Sequence, residues 1–218
     1  MIINHKYKFI FIHFPKCAGT AIKRALYPYS DKWDQILGGH PHKPERIDNV
    51  HKHSTAMEIK AYATPERWEE YFTFSFVRNP LARMLSLYNW WQKVPGDFEP
   101  EKKELISKLS FKEFVFSDYN GYSQVHFLAS KAKKETFVSP QNRIELDFIG
   151  RQEDIYRDFA YFCGLNKLPR IKLDIHNATR TEEEQQMHYR YHKGFYDEES
   201  EREVRRKFAE DFETFGYK

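Results

Sequence analysis

Two segments constrain this 218-residue chain more than any others. Residues 7–14 (YKFIFIHF) and 71–77 (YFTFSFV) are short, aromatic and β-branched, the pattern of buried strands. Pro15 stops the first, because proline has no N–H to give to a sheet ladder. Helical spacing follows each run: Thr20 to Leu26, beginning near Gly19, and then Leu81, Met84, Leu85, Tyr88 and Trp91 behind Pro80. Strand, tight loop and helix therefore occur twice. A third unit is predicted from Glu145–Ile149, a strand ending at Gly150, and a helix over Gln152–Cys163 with Gly164 as its terminator. Strands alternating with helices argue for the α/β class: a three-layer α/β/α sandwich around a mostly parallel sheet, in one domain over residues 1–218.

The remaining segments are read from caps and breakers. Residues 28–50 carry Pro28, Gly38, Gly39, Pro41 and Pro44 and read as a long loop or irregular insertion. Ser54 or Thr55 caps a helix running to about Tyr62, and Pro65 opens another. Residues 95–104 read as a surface excursion, Phe111–Phe116 as a short helix capped by Ser110, Ser123–Ala129 as another, and 197–213 as one charged final helix with Val204, Phe208 and Phe212 inward.

Composition removes several classes. The net charge is only +3, which excludes a strongly cationic nucleic-acid coat but leaves room for a local anion site. No apolar run is long enough to cross a bilayer, and the N-terminus lacks the apolar core of a signal peptide. Cys17 and Cys163 are the only cysteines, too few for a disulfide framework. These features together read as a cytoplasmic protein.

The chemistry concentrates at the ends of the two main strands. In Phe14-Pro15-Lys16-Cys17-Ala18-Gly19-Thr20 the chain turns from strand to helix. Such a turn aims backbone N–H groups and a helix dipole at one point. Ala18 and Gly19 let an anion approach the backbone, Lys16 adds a charge and Thr20 a hydroxyl, together making a phosphate or sulfonate cradle. The loop lacks the Gly-Lys-Ser/Thr ending of a Walker A loop, and the chain has no G-x-G-x-x-G dinucleotide fingerprint. The second site is Arg78-Asn79-Pro80-Leu81-Ala82-Arg83-Met84-Leu85-Ser86. Arg78 stands where a parallel strand ends, and its planar fork suits a phosphate monoester. Ser86, two turns into the following helix, carries a hydroxyl for the same anion.

Together FIHFPKCAGT and FSFVRNPLARMLSLY resemble the cofactor signatures of the PAPS-dependent sulfotransferases. The branch most similar is the carbohydrate one that includes the heparan sulfate 2-O-sulfotransferases and their bacterial relatives. LDFIGRQEDIYRDF and the C-terminal YDEESEREVRRKFAEDFETFGY are similar to later segments of that family, so the resemblance runs in patches from Phe9 to Tyr217. It implies a P-loop NTPase-like sulfotransferase fold with PAPS (3′-phosphoadenosine 5′-phosphosulfate) as sulfuryl donor and no metal. It places Lys16, Cys17, Ala18, Gly19 and Thr20 on the 5′-phosphosulfate, with Lys16 also stabilising the leaving phosphate. Arg78 and Ser86 take the 3′-phosphate. Cys17 stands where the family often has Thr or another small residue, so only its backbone N–H is expected to serve.

An acceptor hydroxyl needs a base, and histidine has the right pKa range. The resemblance implies a histidine ahead of the second strand. His53 is the first choice and His51 the alternate; in an extended segment the two would share a face. His40-Pro41-His42 with His51 and His53 matches no closed zinc pattern. Thr179 and Arg180 sit where related enzymes close a loop over the adenosine. Trp90, Trp91 and the Tyr122–Phe127 stretch are candidates for an acceptor cleft, and at least one of the tryptophans is expected in the core. The expected acceptor is a carbohydrate or other hydroxyl-bearing molecule, not a nucleic acid. The alternatives are an ATP-dependent small-molecule kinase on a related fold and a non-catalytic nucleotide binder.

Overall fold

The structure is a computed structural model that describes residues 1–38, 44, 46–130, 144–174 and 194–218. These residues form two compact units.

The first unit comprises residues 1–77 and 124–177 and contains the sheet. Its strands are β1 (Ile2–Asn4), β2 (Phe9–Ile12), β3 (Gln35–Ile36), β6 (Phe72–Val77) and β7 (Phe148–Arg151), in the spatial order β3-β1-β2-β6-β7. A separate hairpin pairs β4 (Arg46–Ile47) with β5 (Val50–His51). β2, β6 and β7 run parallel to one another, as the strand–loop–helix pattern requires. β1 pairs antiparallel with both β2 and β3. The sheet is therefore mixed, not mostly parallel. The cause is local: only four residues separate β1 from β2, too few for a parallel crossover, and Lys8 with φ 50° completes the reversal.

Alternation along β2 sends Phe9 and Phe11 to one face. There Phe11 stacks on Phe74 of β6 at 4.9 Å, and Phe74 stacks on Phe162 at 3.8 Å. Phe162 and Phe159 belong to the helix α8 (Ile155–Leu165), and all five rings are buried. Each such ring contributes roughly 1.5–3 kcal/mol when fully buried. Polar pins fix the register. Asp147 accepts hydrogen bonds from the N–H and hydroxyl of Thr73 at 2.7 and 2.8 Å, and Ser75 donates to the Ile12 carbonyl at 2.8 Å. The helices α1 (Gly19–Leu26), α2 (Ala56–Ala63), α3 (Pro65–Glu70) and α7 (Gln124–Leu128) complete this unit. Thr55, not Ser54, caps α2, in a reciprocal capping box with Glu58.

The second unit comprises residues 78–123 and 178–218. It contains α4 (Pro80–Lys93), α5 (Pro100–Ser107), α6 (Phe111–Phe116), α9 (Glu198–Lys207) and α10 (Ala209–Phe215). Their apolar stripes meet in a core that includes Met84, Trp91, Ile106, Phe114, Val204 and Phe208. Trp91 is the core member of the tryptophan pair. The stretch read as a surface excursion contributes α5, because Pro100 opens it and Ile106 is drawn into this core. The charged C-terminal segment is two helices broken at Phe208 (φ −115°, ψ 29°), whose ring carries the Arg83 guanidinium 4.9 Å above it.

Gly150 lies within β7 rather than ending it, directly opposite Phe76 in the register. A Cβ at this position would sit 2.4 Å from the Phe76 ring. Gly150→Ala is therefore expected to destabilise the protein by about 1–3 kcal/mol through overpacking. Urea unfolding of the two proteins side by side checks this.

Candidate functional site

β2 ends at Ile12, and the chain reaches α1 through a loop with unusual backbone. Lys16 (φ 69°) and Ala18 (φ 58°, ψ 13°) both occupy the left-handed region, two residues apart. Such a conformation costs a residue with a Cβ about 1–2 kcal/mol, and it persists where the surroundings over-determine it. Alternation of left-handed and other residues turns successive N–H groups toward a common concavity, the geometry of an anion nest. Ala18 is the N-cap of α1 and supplies no side-chain cap. Its carbonyl accepts from Ala21 and Ile22 at 3.0 and 3.2 Å, while the N–H groups of Gly19 and Thr20 and the Thr20 hydroxyl have no hydrogen-bond partner among the described residues. The first turn of α1 is thus open to an anion.

The loop is buttressed from below. Cys17 is buried, and its thiol donates to the Gln124 side-chain oxygen at 3.6 Å. Phe14 meets Phe127 edge-on at 4.8 Å. Gln124 and Phe127 of the 122–127 stretch are consequently buried supports of the loop, while Tyr122 is 69% exposed.

Gly19 is small for a second reason. A Cβ there would lie 1.8 Å from Cδ2 and 2.1 Å from Nε2 of His13. The His13 ring fills that space, stacked on Phe11 at 5.9 Å and tilted against His53 at 4.4 Å. His13 is 5% exposed, and its Nδ1 has no hydrogen-bond partner. Burial holds its pKa well below the usual histidine value, so the ring is neutral.

His53 and His51 do not share the face of an extended strand. β5 ends at His51, and residues 51–54 form a turn in which the Ser54 N–H donates to the His51 carbonyl at 3.0 Å and the Ser54 hydroxyl accepts from the His51 N–H at 3.0 Å. The turn gives the two imidazoles different tautomers. His53 Nδ1 lies 3.0 Å from the His13 carbonyl, which can only accept, so Nδ1 carries the proton and Nε2 keeps its lone pair. His51 Nδ1 accepts from the His53 N–H at 3.1 Å, so in the neutral His51 ring the proton sits on Nε2. Burial pushes the His53 pKa down to about 4 and outweighs the opposing hydrogen bond to His13; the Lys52 charge lowers it further.

A cavity of about 410 Å³ runs along α1. Its wall includes Ala21, the residue after Thr20, with Arg24, Tyr29, Arg170, Lys172 and the acidic Asp174. Spacing gave no sign of these cations, because residues 24 and 170 meet only in the fold.

In the second unit, Asn79 caps α4 with its side-chain oxygen, accepting from the N–H groups of Leu81 and Ala82 at 2.9 and 3.5 Å. The first turn of α4 is therefore closed by its own side chain, unlike that of α1. What this segment offers an anion is side chains: the half-buried Arg78 and the half-buried Ser86, whose hydroxyl has no hydrogen-bond partner among the described residues. Arg83, to which the sequence assigned no role, is buried and donates to the Tyr122 carbonyl at 2.9 Å. Thr179, Arg180, His40 and His42 lie outside the described residues.

The family model described as Sulfotransferase family matches residues 1–218. Curated relatives include carbohydrate sulfotransferase 10 of Xenopus laevis, 22% identical across all of this chain and 67% of its own length. The protein of that name from Gallus gallus is 25% identical across all of this chain and 66% of its own length. The chain thus spans about two thirds of these relatives. An uncharacterized protein of Archaeoglobus fulgidus is 27% identical over 59% of this chain and 93% of its own length. No solved structure matches. No helix among the described residues is long and apolar enough to cross a membrane.

The folded pKa of His53 sets a pH dependence. An unfolded histidine binds its proton near pH 6.5, whereas folded His53 does so only near 4. As pH falls from 6.5 toward 4 the unfolded chain binds protons first, so folding stability decreases across that window. NMR titration of the His53 ring is expected to show a midpoint near 4, and urea midpoints should fall with acidification over the same range.

Proposed function

The chain belongs to the sulfotransferase family, and from that membership we propose that it moves the sulfuryl group of PAPS to an acceptor hydroxyl, most suitably on a carbohydrate. The observation that carries this reading is that the open α1 turn and a neutral His53 both contact one buried ring, His13. The names of the curated relatives support the carbohydrate acceptor.

The donor supplies a sulfuryl group activated by its anhydride link to the 5′-phosphate. The N–H groups of Gly19 and Thr20, the Thr20 hydroxyl and the Lys16 ammonium hold that end. The same groups stabilise the charge that builds on the bridging oxygen as its bond to sulfur breaks. They act by electrostatics already in place, with no reorganisation at the moment of transfer. The cavity walled by Arg24, Tyr29, Arg170 and Lys172 takes the adenosine, since its wall also includes Ala21, one residue beyond the cradle. Arg78 and Ser86 take the 3′-phosphate, Arg78 by its planar fork and Ser86 by its hydroxyl. His53 Nε2 receives the acceptor proton as the acceptor oxygen bonds to sulfur, and its Nδ1–H keeps the bond to the His13 carbonyl throughout. His51 presents N–H at the corresponding atom, so it serves the turn rather than the proton transfer.

Calorimetric titration with adenosine 3′,5′-bisphosphate, beside ADP and ATP in the absence of metal, tests the donor. The expected result is at least tenfold tighter binding of the 3′-phosphorylated nucleotide, with Arg78→Ala weakening it tenfold or more, the scale of a lost charge-assisted hydrogen bond. Equal or tighter binding of ATP would favour a kinase. For the base, His53→Ala is expected to lower sulfate transfer about 10²–10⁴-fold, the usual range for a general base, while leaving affinity for the bisphosphate within a factor of about three. Nucleotide binding by the unaltered chain with no transfer to any glycan acceptor would reduce the reading to a non-catalytic binder.

A further inference from the structure

His13 was not among the residues expected to act, yet it touches both halves of the chemistry. Its side chain is buried, its Cδ2–Nε2 edge occupies the space a Cβ of residue 19 would need, and its ring lies 4.4 Å from that of His53. Its Nδ1 has no hydrogen-bond partner. A buried polar atom without a partner costs about 1–3 kcal/mol, so the ring is not held in place by bonds through that nitrogen. What holds it is shape: Phe11 on one side, Gly19 on another and His53 on a third.

We propose that His13 is a positioning residue whose ring acts as a dry wedge, fixing the His53 imidazole against the first turn of α1 and keeping water from the inner face of that imidazole. The inference rests on the reading of His53 as the base. Two contacts from one residue clamp His53: the His13 carbonyl fixes the Nδ1 proton, and the His13 ring packs on the imidazole. A side-chain substitution removes only the second. Gly19 is part of the same device, because any larger residue would drive the wedge into His53. The charged groups that act on the pair are Lys23 of α1, Lys52 beside His53 and the amino group of Met1, all cationic. The ring of His13 therefore sets how far solvent can relieve His53 from those charges.

The test compares His13→Ala, His13→Phe and the unaltered protein by NMR titration of His53 and by kcat and KM for the donor. Removing the ring in His13→Ala lets water reach His53. The His53 midpoint is expected to move from about 4 toward the free value near 6.5, by more than one pH unit, with kcat down at least tenfold and donor KM changed less than threefold. His13→Phe keeps a flat ring in that space and loses the nitrogens, so it should restore the low midpoint and recover most of kcat. An unchanged His53 midpoint in folded His13→Ala overturns the proposal. So does a His13→Phe protein that is folded but titrates like the alanine variant. Should His13→Ala fail to fold, Gly19→Ala gives the reciprocal perturbation, and a His53 midpoint unmoved by it is equally fatal. The titration needs no substrate. A shifted midpoint in a protein that transfers no sulfate would leave the wedge standing and remove the sulfotransfer reading; the opposite pair of results would do the reverse.

Discussion

The region around α1 depends on one missing atom, the Cβ of Gly19. Without it the His13 ring slides under the first turn of the helix, and a Cβ there would stand 1.8 Å from that ring. Because His13 is also where β2 gives way to the loop, its backbone is tied to the sheet and its carbonyl is free to accept from His53, forty residues further along the chain. The loop between must then reach Gly19 in five residues. It does so with Lys16 and Ala18 in left-handed conformations that only tight surroundings sustain. The buried Cys17 thiol on Gln124 and Phe14 against Phe127 provide those surroundings. Backbone strain, an uncapped helix and an oriented imidazole are three consequences of one packing arrangement.

The two strand–loop–helix elements show how similar local sequences reach opposite electrostatic ends. Behind β6, Asn79 occupies the N-cap and consumes the donors of Leu81 and Ala82, so the α4 turn is self-satisfied. Behind β2, Ala18 occupies the N-cap and has no side chain to offer, so the α1 turn keeps its donors. Capping residues contribute about 1 kcal/mol to a helix. Leaving that out at α1 sacrifices some stability and leaves backbone donors open, while α4 keeps its cap.

The parallel core β2–β6–β7 was legible because aromatic and β-branched runs with helices behind them admit few other folds. The cap at Ser110 was legible too, since a capping box lies within four residues, whereas for α2 the sequence left Ser54 and Thr55 both open. β1 and β3 were not: strands of three and two residues have no periodicity to detect, and β1 is a strand because β2 supplies an edge, β3 because β1 supplies the next. Gly150 read as a stop, although its smallness answers to Phe76 on the neighbouring strand. The strand-to-helix turn between β2 and α1 could be placed from its composition. The surroundings of His13, Arg24 and Arg170 could not, because each includes a residue far away in sequence. That the Nδ1 atoms of His51 and His53 meet different partners likewise could not be read from the sequence, since it depends on the turn that points one at an N–H and the other at a carbonyl.

A base with a pKa near 4 is always deprotonated at neutral pH but binds protons weakly, and general-base catalysis favours a pKa closer to the working pH. The two facts are reconciled by what depresses the value. Burial is the largest cause, and the charges acting in the same direction, on Lys52, Lys23 and the Met1 amino group, are all positive. Under the proposed reading a donor seated on the Gly19–Thr20 turn brings several negative charges close to the His13 ring that His53 packs on. An anion there favours the imidazolium, and beside a largely buried imidazole its effect is larger than in open solvent. His53 would then be weakest as a base in the empty protein and strongest with the donor in place. Base strength tied to donor binding gives an order to the chemistry: the acceptor proton is taken only when there is a sulfuryl group to receive the oxygen left behind.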